Sequence, residues 1–191
     1  MPVVLNVGGG GGHLAHPAFK GWQQKVLDID ASVKPDICLD ARRMGTLPHG
    51  EYDGIYCGHT LEHFYEHEVP VVLSGFQHVL KPAGFALVVV PDLRKVFDSL
   101  ADGAGLGDIW YMAGPIPVTY HDALFGWSYM MRQGNLYFAH KCGFTEDTLA
   151  LALRKSGFAS VYVQRDNHQL FAYGFKRQPS RARLERMLKA A

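Results

Sequence analysis

Short apolar runs, each ending in turn-forming residues, set the rhythm of this chain. Residues 3–7 (Val-Val-Leu-Asn-Val), 25–29, 36–40, 52–57, 85–91, 161–164 and 169–175 read as strands. The run 85–91 is apolar throughout, as expected of a strand buried on both faces of a parallel sheet. Between strands the period lengthens. Val71, Val72, Leu73, Phe76, Val79 and Leu80 share one stripe, which predicts a long helix over 60–80 with Pro70 as a break or restart. Asp92 is placed to cap a helix reaching about residue 100, and Thr145 one reaching about residue 156. A short helix, interrupted by Pro17 and Gly21, is predicted within 13–22, and Lys81-Pro-Ala-Gly84 reads as a turn.

Strands alternating with helices predict an α/β fold, a doubly wound and mostly parallel sheet with helices on both faces. Only residues 165–168 join the last two strands, so these pair antiparallel and place one antiparallel strand near the C-terminus. Residues 102–144 break the pattern. They hold seven glycines and two prolines scattered among Trp110, Tyr111, Tyr120, Phe125, Trp127, Tyr129, Tyr137 and Phe138. A connection this long is often functional, and here it reads as an insertion that covers a substrate. The expected organisation is one domain over 1–175 followed by a basic tail over 176–191.

Composition changes this picture little. The chain has 191 residues, 48% hydrophobic and 19% charged, with a formal net charge of +1. Nothing pulls it toward nucleic acid or a membrane surface. The tail carries six Lys/Arg against Glu185, which leaves 13 positive and 17 negative side chains elsewhere. Such a charge run reads first as a solvated helix. Three widely spaced cysteines and no signal-like segment point to a reducing, cytoplasmic setting.

The chemistry begins at Gly8–Gly12, five glycines directly after the first strand. Glycine lets backbone N–H groups approach a ligand and adopt positive φ. The dinucleotide pattern G-x-G-x-x-G fails, because its last position falls on His13 or Leu14. The phosphate loop fails as well, for want of a Lys-Ser/Thr pair. G-x-G-x-G fits at Gly8, Gly10 and Gly12, which suits a nucleoside without a pyrophosphate. Asp28 ends the second strand twenty residues after Gly8, where a carboxylate accepts ribose hydroxyls; Asp30 is its rival. Asp40 ends the third strand, placed for an exocyclic amine, with the N–H of Ala41 for a ring nitrogen.

In this order the motifs resemble those of class I S-adenosylmethionine-dependent methyltransferases. Residues 4–12 resemble the glycine motif, 26–30 the ribose motif, and 36–41 the adenine motif. Residues 52–63 resemble the motif that follows the fourth strand, and 80–90 the turn into the fifth strand. The resemblance implies a Rossmann-like, seven-stranded fold. It implies S-adenosylmethionine as cofactor and S-adenosylhomocysteine as product. Val7, Gly8, Gly9, Gly10, Gly12, Asp28, Ile29, Asp40, Ala41, Cys57, Gly58 and His59 would hold the cofactor. Asn6 departs from the family, which usually has an acid there.

His59, just past the fourth strand, is the candidate base or orienting group, with His121 a second candidate. Tyr120, His121 and His140 of the insertion are candidates for an acceptor pocket. An aromatic insertion suits a small-molecule acceptor methylated at oxygen or nitrogen. The motif that marks methylation of base amines is absent at 57–60, which argues against nucleic acid. Two other readings remain. His59-Thr-Leu-Glu-His63 matches H-x-x-E-H, a zinc-hydrolase signature that places two histidines on one helix face. A non-catalytic nucleoside-binding module is the other. The methyltransferase reading assigns no metal ligand.

Overall fold

A computed structural model describes residues 1–14, 16–166 and 168–188. Ala15, Asn167 in the predicted link and Lys189 in the basic tail lie outside the described residues. The strands are β1 (Val3–Val7), β2 (Gln23–Asp28), β3 (Ile37–Cys38), β4 (Tyr52–Gly58) and β5 (Leu80–Pro91). After these come the hairpin strands β6 (Ile109–Ala113) and β7 (Ile116–Thr119), then β8 (Ser160–Arg165) and β9 (Gln169–Phe175). Seven of them form one sheet in the order β3-β2-β1-β4-β5-β9-β8. β1 to β5 pair in parallel, and β9 alone runs antiparallel to both its neighbours, as the short final link required.

Side chains alternate between the two faces because successive residues of a strand point opposite ways. Leu5, Val7, Ile55, Cys57, Ala86 and Val88 face α1 (Val69–Val79) and α5 (Glu146–Lys155), whose Leu73, Phe76, Leu149 and Leu153 fill that side. Val4, Phe85, Leu87, Tyr173 and Phe175 face the other way, under Phe19, Trp22 and Met187. Met187 belongs to α6 (Arg181–Leu188), so part of the basic tail closes this second face. The Arg183 guanidinium lies over the rings of Phe85 and Phe175, 5.6 and 5.7 Å from their centroids.

Three elements differ from the sequence pattern. The helix predicted within 13–22 is one 3-10 turn, Pro17–Phe19, capped by the His16 ring, which accepts the Ala18 N–H. Pro17 opens the turn and Gly21, at φ +80°, follows it, so no full helix has room. The helix predicted from residue 60 begins at Val69. Ahead of it lie two 3-10 turns, Leu61–His63 and Glu66–Glu68. Pro70 therefore sits in the first turn of α1, where its missing N–H costs nothing, and of its two expected roles it marks the restart, not a break within a longer helix. The predicted turn at 81–84 is an excursion within β5: Leu80 pairs with Tyr52 and Phe85 with Gly54.

The helix capped by Asp92 is α2 (Leu93–Ala101), and the insertion after it is built from the β6–β7 hairpin and the short helices α3 (Tyr120–Phe125) and α4 (Ser128–Met131). Asp122, 6% exposed, ties it together: it accepts from Thr119 and Ser128, which keeps its carboxyl below the usual range against the upward push of burial. Gly126 bridges to Ala139 at φ +104°. A Cβ there would lie 2.1 Å from the Phe138 carbonyl oxygen. Gly126→Ala is therefore expected to lower stability by about 2 kcal/mol or more, read as a lower midpoint in urea unfolding.

Candidate functional site

The strand order reverses between β1 and β4, since β2 and β3 lie to one side of β1 and β5 to the other of β4. At such a switch point the loops after the two strands part and leave a crevice at the carboxyl edge. A cleft of about 300 Å³ occupies it. The glycine loop forms one wall. Gly8 continues the ladder by donating to Leu27 O at 2.8 Å, then turns at φ +69°, and Gly10 follows at φ +55°. A Cβ on Gly8 would sit 2.3 Å from the Thr60 hydroxyl. Thr60 in turn donates to the carbonyls of Val7 (3.2 Å) and Gly58 (3.1 Å), so the ends of β1 and β4 are laced through one side chain.

Asp28 stands at the end of β2. Its Oδ2 accepts the Gly10 N–H and its Oδ1 the Asp30 N–H, both at 2.9 Å. A carboxylate accepts more bonds than these two, so capacity remains toward the cleft. The Asp30 carboxylate caps its own turn, accepting the Ser32 N–H at 2.8 Å, and also borders the cleft. Asp40 caps the 3-10 turn Ala41–Thr46 and is held by Arg42, whose guanidinium also reaches Glu68. Arg42 keeps the Asp40 carboxyl below its usual range.

Eight of the twelve expected cofactor residues line the cleft: Val7, Gly8, Gly10, Asp28, Ile29, Asp40, Ala41 and His59. Gly9, Gly12, Cys57 and Gly58 stand outside its lining. Gly9 backs onto Asn6, whose amide would be 2.3 Å from a Cβ there, and Gly58 packs on the Tyr56 ring. Asn6 is 5% exposed, so an uncharged amide sits beneath the loop where an acid would bury its charge. Cys57 is buried, which pushes its thiol pKa up.

The acceptor residues expected from the insertion do not reach the cleft. The His121 ring packs on Phe125 (centroids 4.9 Å apart) and Tyr120 lies near Trp110. His140 points inward, its Nδ1 at 3.0 Å from the Ala123 carbonyl. The insertion instead sends Met130, Asn135, Tyr137, Phe138 and Lys141 into the lining. Its aromatic content was the only sequence signal for Tyr137 and Phe138. Nothing in spacing singled out Met130, Asn135 or Lys141, because the chain path brings them over the cleft. Arg42 and Phe64 were missed for the same reason.

His59 takes φ +50°, a left-handed conformation that costs a non-glycine residue energy, and its N–H donates to Val89 O at 2.8 Å. Its ring keeps 45% of its surface open, with Nε2 2.7 Å from Gln169 Oε1 and Nδ1 3.5 Å from Glu62 Oε1. Burial pushes the imidazole pKa down, while the Glu62 carboxylate pushes it up and prevails. His59 and His63 are not successive turns of one α-helix. His59 is in a loop, and His63 ends a 3-10 turn with its Nε2 3.0 Å from the His59 carbonyl oxygen. The helical H-x-x-E-H geometry of zinc hydrolases is therefore absent.

The family model for the methyltransferase domain matches residues 2–163. The chain belongs to that family. It is an S-adenosylmethionine-dependent methyltransferase, which displaces both the zinc-hydrolase and the non-catalytic readings. No curated protein matches its sequence. Solved structures share the methyltransferase's fold. One is the 1,6-didemethyltoxoflavin N1-methyltransferase of Burkholderia thailandensis, solved with 1,6-didemethyltoxoflavin and S-adenosylhomocysteine bound. It is 18% identical, with a TM-score of 0.58 over 93% of this chain and 72% of that one. Another is a SAM-dependent methyltransferase from Archaeoglobus fulgidus, 15% identical, with a TM-score of 0.58 over 92% and 86%. A third is an O-methyltransferase family protein from Burkholderia thailandensis, 15% identical, with a TM-score of 0.55 over 94% and 52%. Among the described residues of the methyltransferase, no helix is long and apolar enough to cross a membrane.

Proposed function

We propose that this methyltransferase acts on an oxygen or nitrogen of a small molecule, with the cofactor seated along the cleft from Gly8 to Ala41. The observation that carries the cofactor placement is Asp28: a carboxylate at the end of β2, steadied by two N–H groups and still able to accept ribose hydroxyls. The space around it suits the rest of a nucleoside. Gly8 and Gly10 lack the Cβ that would fill the cradle, and Ile29, Val33, Leu39 and Phe64 offer apolar walls for a flat base. The committed Asp40 carboxylate leaves recognition of the base edge to the backbone of Ala41 and to the Arg42–Glu68 wall.

The bound cofactor supplies an activated methyl group, so the chain has only to hold a nucleophile in line and exclude water. His59 stands at the mouth of the cleft with an exposed ring and a backbone fixed by Val89, so it is placed to orient the acceptor by hydrogen bonding. Tyr137 and Phe138 line the cleft and are placed to shield a bound acceptor from water. A small acceptor also fits the fold relative that holds its own small heterocycle.

Calorimetry with S-adenosylmethionine and S-adenosylhomocysteine tests the cofactor placement. Saturable one-to-one binding of both is expected; absence of heat with either, in folded protein, refutes it. Transfer of labelled methyl groups to pools of small hydroxyl- and amine-bearing compounds then tests the acceptor class. Transfer only to nucleic acid or protein would overturn it.

A further inference from the structure

Beside the cleft lies a cluster of which the methyl-transfer reading uses only the Glu62 contact to the His59 ring. Glu62 sits in the 3-10 turn after β4 with 1% of its surface exposed. Neither of its carboxylate oxygens has a hydrogen-bond partner among the described residues. The His59 and His140 rings, 3.5 and 4.0 Å from Oε1, offset its charge without hydrogen-bonding it, and a buried carboxylate left without hydrogen bonds calls for a ligand, water or ion. Its neighbours are nitrogen donors, not apolar side chains.

His140 shows how those donors are held. Its Nδ1 must donate to the Ala123 carbonyl at 3.0 Å, which leaves the Nε2 lone pair free. That Nε2 is 4.0 Å from Glu62 Oε1. An imidazole fixed through one nitrogen by a backbone carbonyl, with the other turned to a carboxylate, is the arrangement of a metal ligand and its outer partner. His63 completes the group. Its ring nitrogens lie 3.0 Å from the Ala139 and His59 carbonyls. A neutral ring donates to one of them and sets its other lone pair against the second carbonyl oxygen, so that nitrogen swings off its carbonyl to take an ion. One donor atom from each of Glu62, His63 and His140 lies within 4.8 Å of the others. In a tetrahedral site with bonds of about 2.0–2.1 Å the donors stand roughly 3.3 Å apart, so the cluster needs only modest contraction. The backbone resists its falling open: the Glu62 carbonyl accepts the N–H of Lys141 (2.8 Å) and of Cys142 (3.2 Å), which pins the strip carrying His140 to the turn carrying Glu62 and His63.

We propose that Glu62, His63 and His140 bind a divalent transition ion of the zinc class, tying the insertion to the sheet edge beside the cleft. Two imidazoles and one carboxylate favour such an ion over magnesium, which prefers oxygen ligands. Three protein ligands leave a position for water or for an oxygen of the acceptor. That last point rests on the cofactor placement above; the ion site itself does not.

The test uses the full chain, stripped with a chelator and titrated with zinc ion against a chromogenic competitor. One equivalent with micromolar or tighter affinity is expected, and magnesium should not displace it. His140→Ala and Glu62→Gln are each expected to weaken zinc binding about 100-fold or more. Circular dichroism and S-adenosylhomocysteine calorimetry on the same samples report folding and the cofactor site separately. Failure of the wild-type chain to take up zinc overturns the proposal, and so does uptake that survives in a folded variant. S-adenosylhomocysteine binding without zinc uptake would remove the ion and leave the cofactor placement standing; zinc uptake without it would do the reverse.

Discussion

Asp28→Ala is expected to raise the dissociation constant for S-adenosylmethionine about 100-fold while the protein stays folded. A hydrogen bond to a charged group contributes about 1.5–3 kcal/mol, and a ribose offers two hydroxyls to one carboxylate. Loss of about 2.7 kcal/mol corresponds to the stated factor. The loop also suffers, since Asp28 fixes the Gly10 N–H at 2.9 Å and so sets one wall of the cleft. Asp28→Asn keeps the shape but not the charge, so its loss should fall between wild type and alanine. Asp30→Ala is the control. Its carboxylate caps the turn that follows β2, so about 1 kcal/mol of stability should go while affinity changes little. Titration calorimetry on the three variants decides. A larger loss in Asp30→Ala than in Asp28→Ala would move the ribose ligand two residues along.

The same contrast explains what the sequence carried and what it did not. Strand positions, direction and the two faces follow from local patterns: period-2 alternation, one apolar central strand, a short link before β9. Gly8, Gly10 and Asp28 were legible because each acts at the end of its own strand, where residue type and position suffice. The start of α1 was misjudged because helical spacing continues upstream of Val69, and only the tertiary position of Leu61 and Glu62 under the insertion resolves those residues into 3-10 turns. The acceptor side was least legible. Its shape depends on how residues 102–144 fold back, through contacts such as Gly126 with Ala139 and Lys141 with Glu62 that span long stretches of chain. Aromatic content announced a cover but could not say that Tyr137 would face the cleft while Tyr120 faced Trp110.

Glu62 shows the limit from the other side. Its motif suggested a metal through helical geometry that the fold does not adopt, since His59 sits in a left-handed loop. The donors that do converge include His140, 78 residues further on, which no spacing rule connects to Glu62.

His59→Ala is expected to lower kcat about 100-fold with S-adenosylmethionine affinity nearly unchanged. The ring lies at the mouth of the cleft and is held on two sides, by Gln169 at 2.7 Å and by Glu62 at 3.5 Å. A group anchored this way positions a partner more accurately than a free side chain. Misplacing a nucleophile by about 1 Å from its line of attack costs roughly 100-fold in rate. The backbone should tolerate the change, because the His59 N–H to Val89 O bond and the Thr60 bonds to Val7 and Gly58 do not involve the ring. Gln169→Ala provides the matching test: it frees one side of the ring without removing it, so a smaller loss in the same direction is expected. Steady-state rates beside cofactor calorimetry separate the outcomes. Unchanged kcat in His59→Ala would remove His59 from the acceptor's side of the cleft, and a loss confined to cofactor affinity would make it part of the cradle instead.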